Sequence, residues 1–452
     1  MKTRLINLWE KLRSNYWFLP GLMALGAVVL VISLGSIDRR WEVTVTKGVA
    51  WMGGNEPEGA RAFLSTVAGA MVTVTGVVFS ITIVALSLAS QQFGPRLLNS
   101  FMRDRANQVV FGSFIGTYLY CLLVLRTIHG SGPEGFVPQL SLLVGFLLAV
   151  FSVAVLIFFI HHVADSIQAM TVIANVSEDL EHAIVRDFPE HDDGLPAKGR
   201  EALRPGELPE DFDSAARPIG AHSSGYLQAV NISGLLKLAI DHDLLLRLEF
   251  RPGDFVTRGT PLAYVWSADG ARPAELADAV KGAFIVGAKR SPEQDIEHLI
   301  NQLVEVAVRA LSPGINDPFT AINCIDYLGS ALANLARRRL PVPWHFDAED
   351  RLRLITHPQT FDGALSAAVD QIRQHGRRDV AVTIRLLEML ATLLSVTCRE
   401  EQRRALARQA AMIERGSRDG LPAEEDRRDV HQRYLAVFQA LEEHFGFCGD
   451  LD

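Results

Sequence analysis

The chain has 452 residues, 48% hydrophobic and 21% charged, with a formal net charge of −8. Residues 1–163 carry 12 Lys/Arg against 7 Asp/Glu, a net of +5, and residues 164–452 carry 32 against 45, a net of −13. Long uncharged runs in the first part exclude a single soluble globule, and the lack of a basic field excludes a nucleic-acid partner.

In chain order, four runs are long enough to cross a hydrocarbon core, which takes about 20 helical residues. They are Tyr16–Ile37, Ala62–Gln91, Gln108–Leu125 and Phe136–Ile160, and none holds Asp, Glu, Lys or Arg in its interior. The first run is too long for a signal peptide and lacks an A-x-A cleavage site, so it is expected to stay as an anchor. Lys2, Arg4, Lys11 and Arg13 precede it, and Arg96, Arg103 and Arg105 follow the second run. The short loop around Ser131–Gly135 has no Lys or Arg. The first loop, with Arg39, Arg40, Lys47 and Arg61, weakens this contrast without reversing it. The positive-inside rule then predicts a multi-pass protein with both termini in the cytoplasm.

The second run is patterned. Thr66, Thr73, Ser80 and Ser87 recur every seven residues, interleaved by Gly69, Gly76 and Ser90. On a helix this is one stripe of small and hydroxyl side chains, with Thr75 and Thr82 on roughly the opposite side. Such a stripe serves either close helix packing or a pore lining in which hydroxyls replace part of an ion's hydration. The run should end at Gln91-Gln92-Phe93-Gly94-Pro95-Arg96. Arg96, Arg103 and Arg105 then mark the cytoplasmic mouth of a pore, or simply satisfy topology. The lack of ionisable groups within the runs disfavours a coupled transporter. His161 and His162 are adjacent, so on a helix they point about 100° apart and do not make one metal-binding face.

Residues 164–187 read as a helix continuing from span four, with Ile173, Ser177 and Leu180 on its apolar stripe. A polar, Pro-rich linker covers 188–217. Between 218 and 270, Gly225–Val230, Leu244–Phe250, Phe255-Val256 and Leu262–Trp266 read as short strands separated by glycine turns. Ser233–Asp243 reads as a helix. The segment RPGDFVTRGTPLAYV resembles the second half of a lipoyl- or biotinyl-type hammerhead barrel. That fold attaches its cofactor to a lysine at an exposed hairpin tip, whereas Lys237 lies in a helical stretch. No cofactor is therefore expected, and the module reads as structural.

Residues 271–452 read as a helical domain. Asp295–Arg338 is interrupted at a turn built from Ser312, Pro313, Gly314, Asn316, Asp317 and Pro318, in which Ser312 or Asp317 caps a flanking helix. Phe361–Gln374, Asp379–Thr397, Glu400–Arg415 and Glu424–His444 follow as a bundle. Cys121, Cys324, Cys398 and Cys448 lie far apart with no CxxC pair, which suits a reducing compartment and no structural metal. No phosphate loop, HExxH or GxSxG occurs, and Asp241-His242-Asp243 and Asp295/His298 read as solvated groups, so no enzyme is expected.

Three segments, TVTGVVFSITIVALSLASQQFGPRLL (73–98), SGYLQAVNISGLL with RPGDFVTRGTPLA (224–263) and VRALSPGINDPFTAINCID (308–326), carry a resemblance to a bacterial predicted-membrane-protein family, domain of unknown function 2254. The resemblance implies an inner-membrane protein with an N-terminal membrane domain and a cytosolic tail, and no activity. The expected fold is an α-helical membrane domain of four transmembrane helices. It is followed by a cytosolic α+β region with a small hammerhead-like β-barrel module and a helical bundle. The expected function is a passive ion channel. A four-helix protomer has little room for water, so a symmetric homo-oligomer in the lipid bilayer, passing inorganic ions, is implied. The alternative is a membrane-anchored scaffold that docks a partner through the β-module.

Overall fold

A computed structural model describes residues 17–41, 57–94, 104–130, 136–190, 208–267 and 273–444. The chain divides into two compact units, residues 1–171 and 172–452.

The first unit holds α1 (Phe18–Trp41), α2 (Pro57–Phe93), α3 (Arg105–Leu125) and α4 (Gln139–Ser166). All four are long and apolar enough to cross a membrane. Some helices run past the apolar stretches, α1 through Asp38 and Arg39 to Trp41. At about 1.5 Å per residue, the 37 residues of α2 make a rod of about 55 Å, well over one bilayer core. It stops where the sequence predicts, with Gly94 at φ +106° donating its N–H to the Ser90 carbonyl before Pro95.

Helix α3 is the hub and packs against the other three. Buried residues make up 61% of its apolar window, against 11%, 17% and 22% in α1, α2 and α4. Lipid tails are as apolar as leucine, so this association rests on close packing and interhelical hydrogen bonds. Gly112 supplies the first: a Cβ there would meet Met23 and sit 3.2 Å from the Pro20 Cα of α1. Hydroxyls supply the second. Thr117 Oγ1 lies 3.1 Å from Ser152 Oγ on α4, and the Tyr120 hydroxyl donates to the Ser141 carbonyl at 2.8 Å.

A charged residue, one position past the expected end of span one, adds a stronger tie. Asp38 is buried and accepts from Leu140 N and Ser141 N, both at 3.1 Å, and from Ser141 Oγ at 2.6 Å. It thus satisfies the orphan N–H groups of α4, whose own N-cap is Pro138 with no side-chain bond to give. Arg61 does the converse for carbonyls after α3, donating to Ile128 O at 3.2 Å and Gly130 O at 3.1 Å.

The second unit begins within α5 (Ala169–Asp187), which is separated from α4 by a break at Ile167–Gln168. Its buried stripe includes Ile173, Ser177 and Leu180, as the periodicity predicts. Next come α6 (Phe212–Ala215), β1 (Arg217–Gly220), β2 (Gly225–Val230), α7 (Ile232–Asp241), β3 (Leu245–Leu248), β4 (Phe255–Val256) and β5 (Pro261–Trp266). Then follow α8 (Pro273–Gly282), β6 (Phe284–Gly287), α9 (Ile296–Ala310), α10 (Pro318–Ala336), β7 (Trp344–Phe346) and β8 (Leu352–Ile355). The chain closes with α11 (Phe361–Gly376), α12 (Val380–Leu394), α13 (Glu400–Gly420) and α14 (Glu424–His444).

The strands form two sheets and no closed barrel among the described residues: β1-β5-β3-β8-β7 and β4-β2-β6. All pairs are antiparallel except β3–β8, where Leu246 faces Leu354. Leu227, Leu235, Leu246, Val256, Leu262 and Phe284 fill the space around them. The β3–β4 turn depends on Gly253, at φ +99°, where a Cβ would also stand 2.5 Å from Asp295 Oδ2. Helices α9 to α14 build the remaining core, with Leu303, Ile325, Leu365 and Leu390 fully buried.

Candidate functional site

The hydroxyl stripe of α2 has a definite bearing. Leu64, Ala68, Met71, Val78 and Ala85 are buried and form the face that meets the bundle. At about 100° per residue, Gly76 and Ser80 lie about 160° from Val78 on either side, and Thr73 lies within about 40° of the diametrically opposite line. Thr66, Gly69, Thr73, Gly76, Ser80 and Ser87 are all exposed, and Ser90 is partly so. A Cβ added at Gly69 or Gly76 would touch nothing within 4 Å. The thinner stripe is the inward one: Thr82 is buried and Thr75 half-buried. Bulky exposed residues flank the outer stripe, Val72, Phe79 and Ile83 on one side and Val77, Ile81 and Val84 on the other.

Three of the five stripe hydroxyls, those of Thr66, Thr73 and Ser80, are already committed as donors. Thr66 donates to Ala62 O at 2.7 Å, Thr73 to Gly69 O at 3.1 Å and Ser80 to Gly76 O at 2.9 Å. Each of these oxygens therefore turns only lone pairs outward, and there the stripe presents acceptors rather than donors.

Of the three arginines proposed for a mouth, Arg96 and Arg103 lie outside the described residues. Arg105 is the first residue of α3 and is exposed. Beside it Asp104 caps the helix, accepting from Ala106 N at 2.9 Å through Oδ1, while its Oδ2 meets Nε2 of His162 from α4. His162 stacks on Phe158 with ring centroids 5.4 Å apart. The histidine pair is thus divided: His162 joins α4 to α3, and His161 faces outward.

In the second unit the residues of the predicted turn join α9 to α10. Ser312 donates to Arg309 O at 2.6 Å, closing the end of α9. Asn316 adopts φ +51°, and Asp317 caps α10 by accepting from Thr320 N at 3.1 Å and Thr320 Oγ1 at 2.6 Å. Pro318 occupies the first turn, where its missing N–H costs nothing. Pro313 and Gly314 are exposed at the tip.

Of the polar residues that read as solvated, Asp241 and His242 are exposed as expected, while Asp243 and Asp295 are paired. Asp295 is buried; it takes Arg290 Nε at 2.7 Å and Nη2 at 2.8 Å and caps α9 through His298 N at 3.1 Å. Glu297 next to it accepts from Arg251 at 2.8 Å and Gln359 at 2.8 Å, tying the β3–β4 turn to the helices. Asp243, at φ +50°, meets Arg353 Nη2 at 2.6 Å, and Arg353 Nε meets Asp347 at 2.7 Å. Desolvation alone would raise the Asp347 carboxyl, but the bonds from Arg351 N and Arg353 outweigh it and hold the group below its ordinary range. Burial lowers the His345 imidazole and pushes the Cys324 thiol well up, which leaves that thiol unreactive. Buried Arg338 donates to Phe188 O at 2.8 Å and to Asn334 at 2.9 Å, closing the chain after α5 onto α10. These networks are satisfied internally and serve as joints.

A family described as "Predicted membrane protein (DUF2254)" matches residues 13–392. An uncharacterized protein of Mycobacterium bovis is 33% identical over 376 residues, covering 82% of this chain and 70% of that protein. An uncharacterized protein of Mycobacterium tuberculosis matches with the same identity and coverage. No solved structure matches the chain.

Proposed function

We propose that this chain, which belongs to the DUF2254 family of predicted membrane proteins, acts as an oligomeric passive ion channel lined by α2. The observation that carries the reading is the bearing of the outer stripe. Thr66, Gly69, Thr73, Gly76, Ser80 and Ser87 point away from the protomer's own bundle, so whatever they meet belongs to another molecule. Among the described residues the protomer's interior is filled by Leu64, Phe114, Tyr120 and Phe159 and leaves no aqueous path. A ring of copies with α2 innermost would bring the stripes to a common axis. Outward lone pairs from Thr73 and Ser80 would then replace part of a cation's hydration without a fixed charge. A heptad stripe on a 3.6-residue helix drifts about 20° per repeat, which suits left-handed crossing of neighbouring copies.

The test is flux of a monovalent cation into liposomes holding the purified chain, compared with Thr73→Leu/Ser80→Leu. Flux in the wild type, lost in the double variant while oligomer size is kept, supports the channel. Intact oligomers that pass no ion under any gradient, pH or tension end it.

A second reading, a membrane-anchored scaffold docking a partner through the hammerhead-like module, is favoured by a separate observation. Phe255 of the module stands exposed on the three-stranded sheet, packed edge-on by Tyr226 at 5.1 Å, and Ile285 of β6, beyond the module's expected bounds, extends the exposed patch. Phe255→Ser/Ile285→Ser would abolish such docking and leave flux untouched.

A further inference from the structure

We propose that the groove between α3 and α4 holds one anionic phospholipid, with an acyl chain along its apolar floor and the headgroup phosphate on Arg105. The groove has a volume of about 430 Å³, within the range of ligand-binding clefts. Val109, Phe151, Ala154 and Phe158 line it, and Arg105 is the one charged side chain along it. It opens in the stretch between two interhelical contacts, Thr117–Ser152 and Asp104–His162.

Two features separate this groove from ordinary lipid-facing surface. The floor runs from Phe151 to Phe158, about 10 Å along α4, the scale of an acyl segment lying along a helix. The rim is a cation with nothing to neutralise it. Among the described residues Arg105 makes no ion pair or hydrogen bond, although a carboxylate adjoins it in sequence. Asp104 is turned elsewhere: its Oδ1 caps α3 at Ala106 N and its Oδ2 meets His162 Nε2. Stacking on Phe158 fixes the His162 ring and so helps hold the carboxylate away. An unpaired guanidinium over an apolar trough matches an amphiphile with an anionic head and an apolar tail. An arginine at the membrane surface favours such a head by about 1 kcal/mol, a preference of about five-fold. This inference concerns a surface distinct from the α2 stripe and stands whether or not ions pass.

The full chain, purified in detergent, is titrated with palmitoyl-oleoyl phosphatidylglycerol or with phosphatidylcholine of the same chains, and bound lipids per protomer are counted by native mass spectrometry. The expected result is one phosphatidylglycerol retained about five-fold better than phosphatidylcholine. Arg105→Gln should erase the preference and Arg105→Lys should keep most of it. Ala154→Trp, which fills the floor, should reduce retention of both lipids. Excess inorganic phosphate should displace nothing. Equal retention of the two lipids by the wild type, an unchanged preference in Arg105→Gln, or displacement by phosphate alone would each overturn the proposal. The Gln/Lys pair decides the matter even if the tryptophan variant fails to fold.

Discussion

Gly112 is a residue whose importance lies in what it lacks. The α1–α3 contact leaves its Cα facing Pro20 and Met23 with no space for a side chain, so Gly112→Val forces the helices apart. Overpacking of this kind costs about 1–3 kcal/mol. The variant should unfold at a lower temperature in detergent, whereas Gly76→Val, with open space beyond it, should leave the melting temperature of a single protomer unchanged. Two residues of the second unit should shape its acid response. His345 is held below 6.5 in the folded state, so the unfolded chain takes up its proton first. Stability contributed by its neutral form is full above pH 6.5 and falls as pH drops below that value. Asp347 acts lower: its folded-state carboxyl is depressed, so its contribution persists above pH 3.8 and is lost as pH falls through the depressed value. Denaturant midpoints across pH should flatten near pH 6 in His345→Gln and lose their acid limb in Asp347→Asn.

At the scale of elements, what short-range pattern could reveal was legible. The four spans, the end of α2 at Gly94, strands β2 to β5, α7 and the four closing helices fall close to where periodicity and turn residues place them. Asp317 is an example: an acid before proline and three residues ahead of Thr320 is an N-cap signal, and it is one here. Asp317→Ala should cost about 1 kcal/mol and lower the melting temperature by a few degrees. What was not legible depends on partners distant in sequence. Strand β8 adds to β3 in parallel from more than a hundred residues away, and four residues of Leu-Arg-Leu-Ile carry no sign of it. Arg290 lies only five residues before Asp295, and that pairing is set by the local turn. Asp243, by contrast, looked solvated because its arginine, Arg353, reaches it through the fold from 110 residues away. The same holds for Asp104 and His162. The stripe on α2 lies between these cases: its existence was plain, but its outward bearing required the bundle.

For the whole molecule, the orientation proposed from the basic loops, with both termini in the cytoplasm, is open to a direct labelling test. The second unit holds a convenient reporter, since Cys398 is exposed while Cys121 and Cys324 are buried. With Cys448 changed to serine, a membrane-impermeant maleimide should label Cys398 in inverted inner-membrane vesicles and not in intact spheroplasts. Labelling of spheroplasts would reverse the orientation drawn from the basic loops. The protein should also stay in the pellet after alkaline carbonate extraction, because its four candidate spans, with mean hydropathies of 1.8 to 3.0, are apolar enough to hold it there.

The Asp38 tie to α4 has a consequence for biogenesis. Its partners Leu140 and Ser141 follow it by 102 and 103 residues. A ribosome adding about 5–20 residues per second delivers them roughly 5–20 s later. Throughout that interval the nascent first helix carries a carboxylate with no mate. On the topology proposed above, Asp38 follows the apolar stretch of its helix, so water can solvate the charge until the last hairpin arrives to accept it. Moving the acid one turn inward, as in Leu34→Asp with Asp38→Ala, should therefore lower the yield of inserted protein during synthesis.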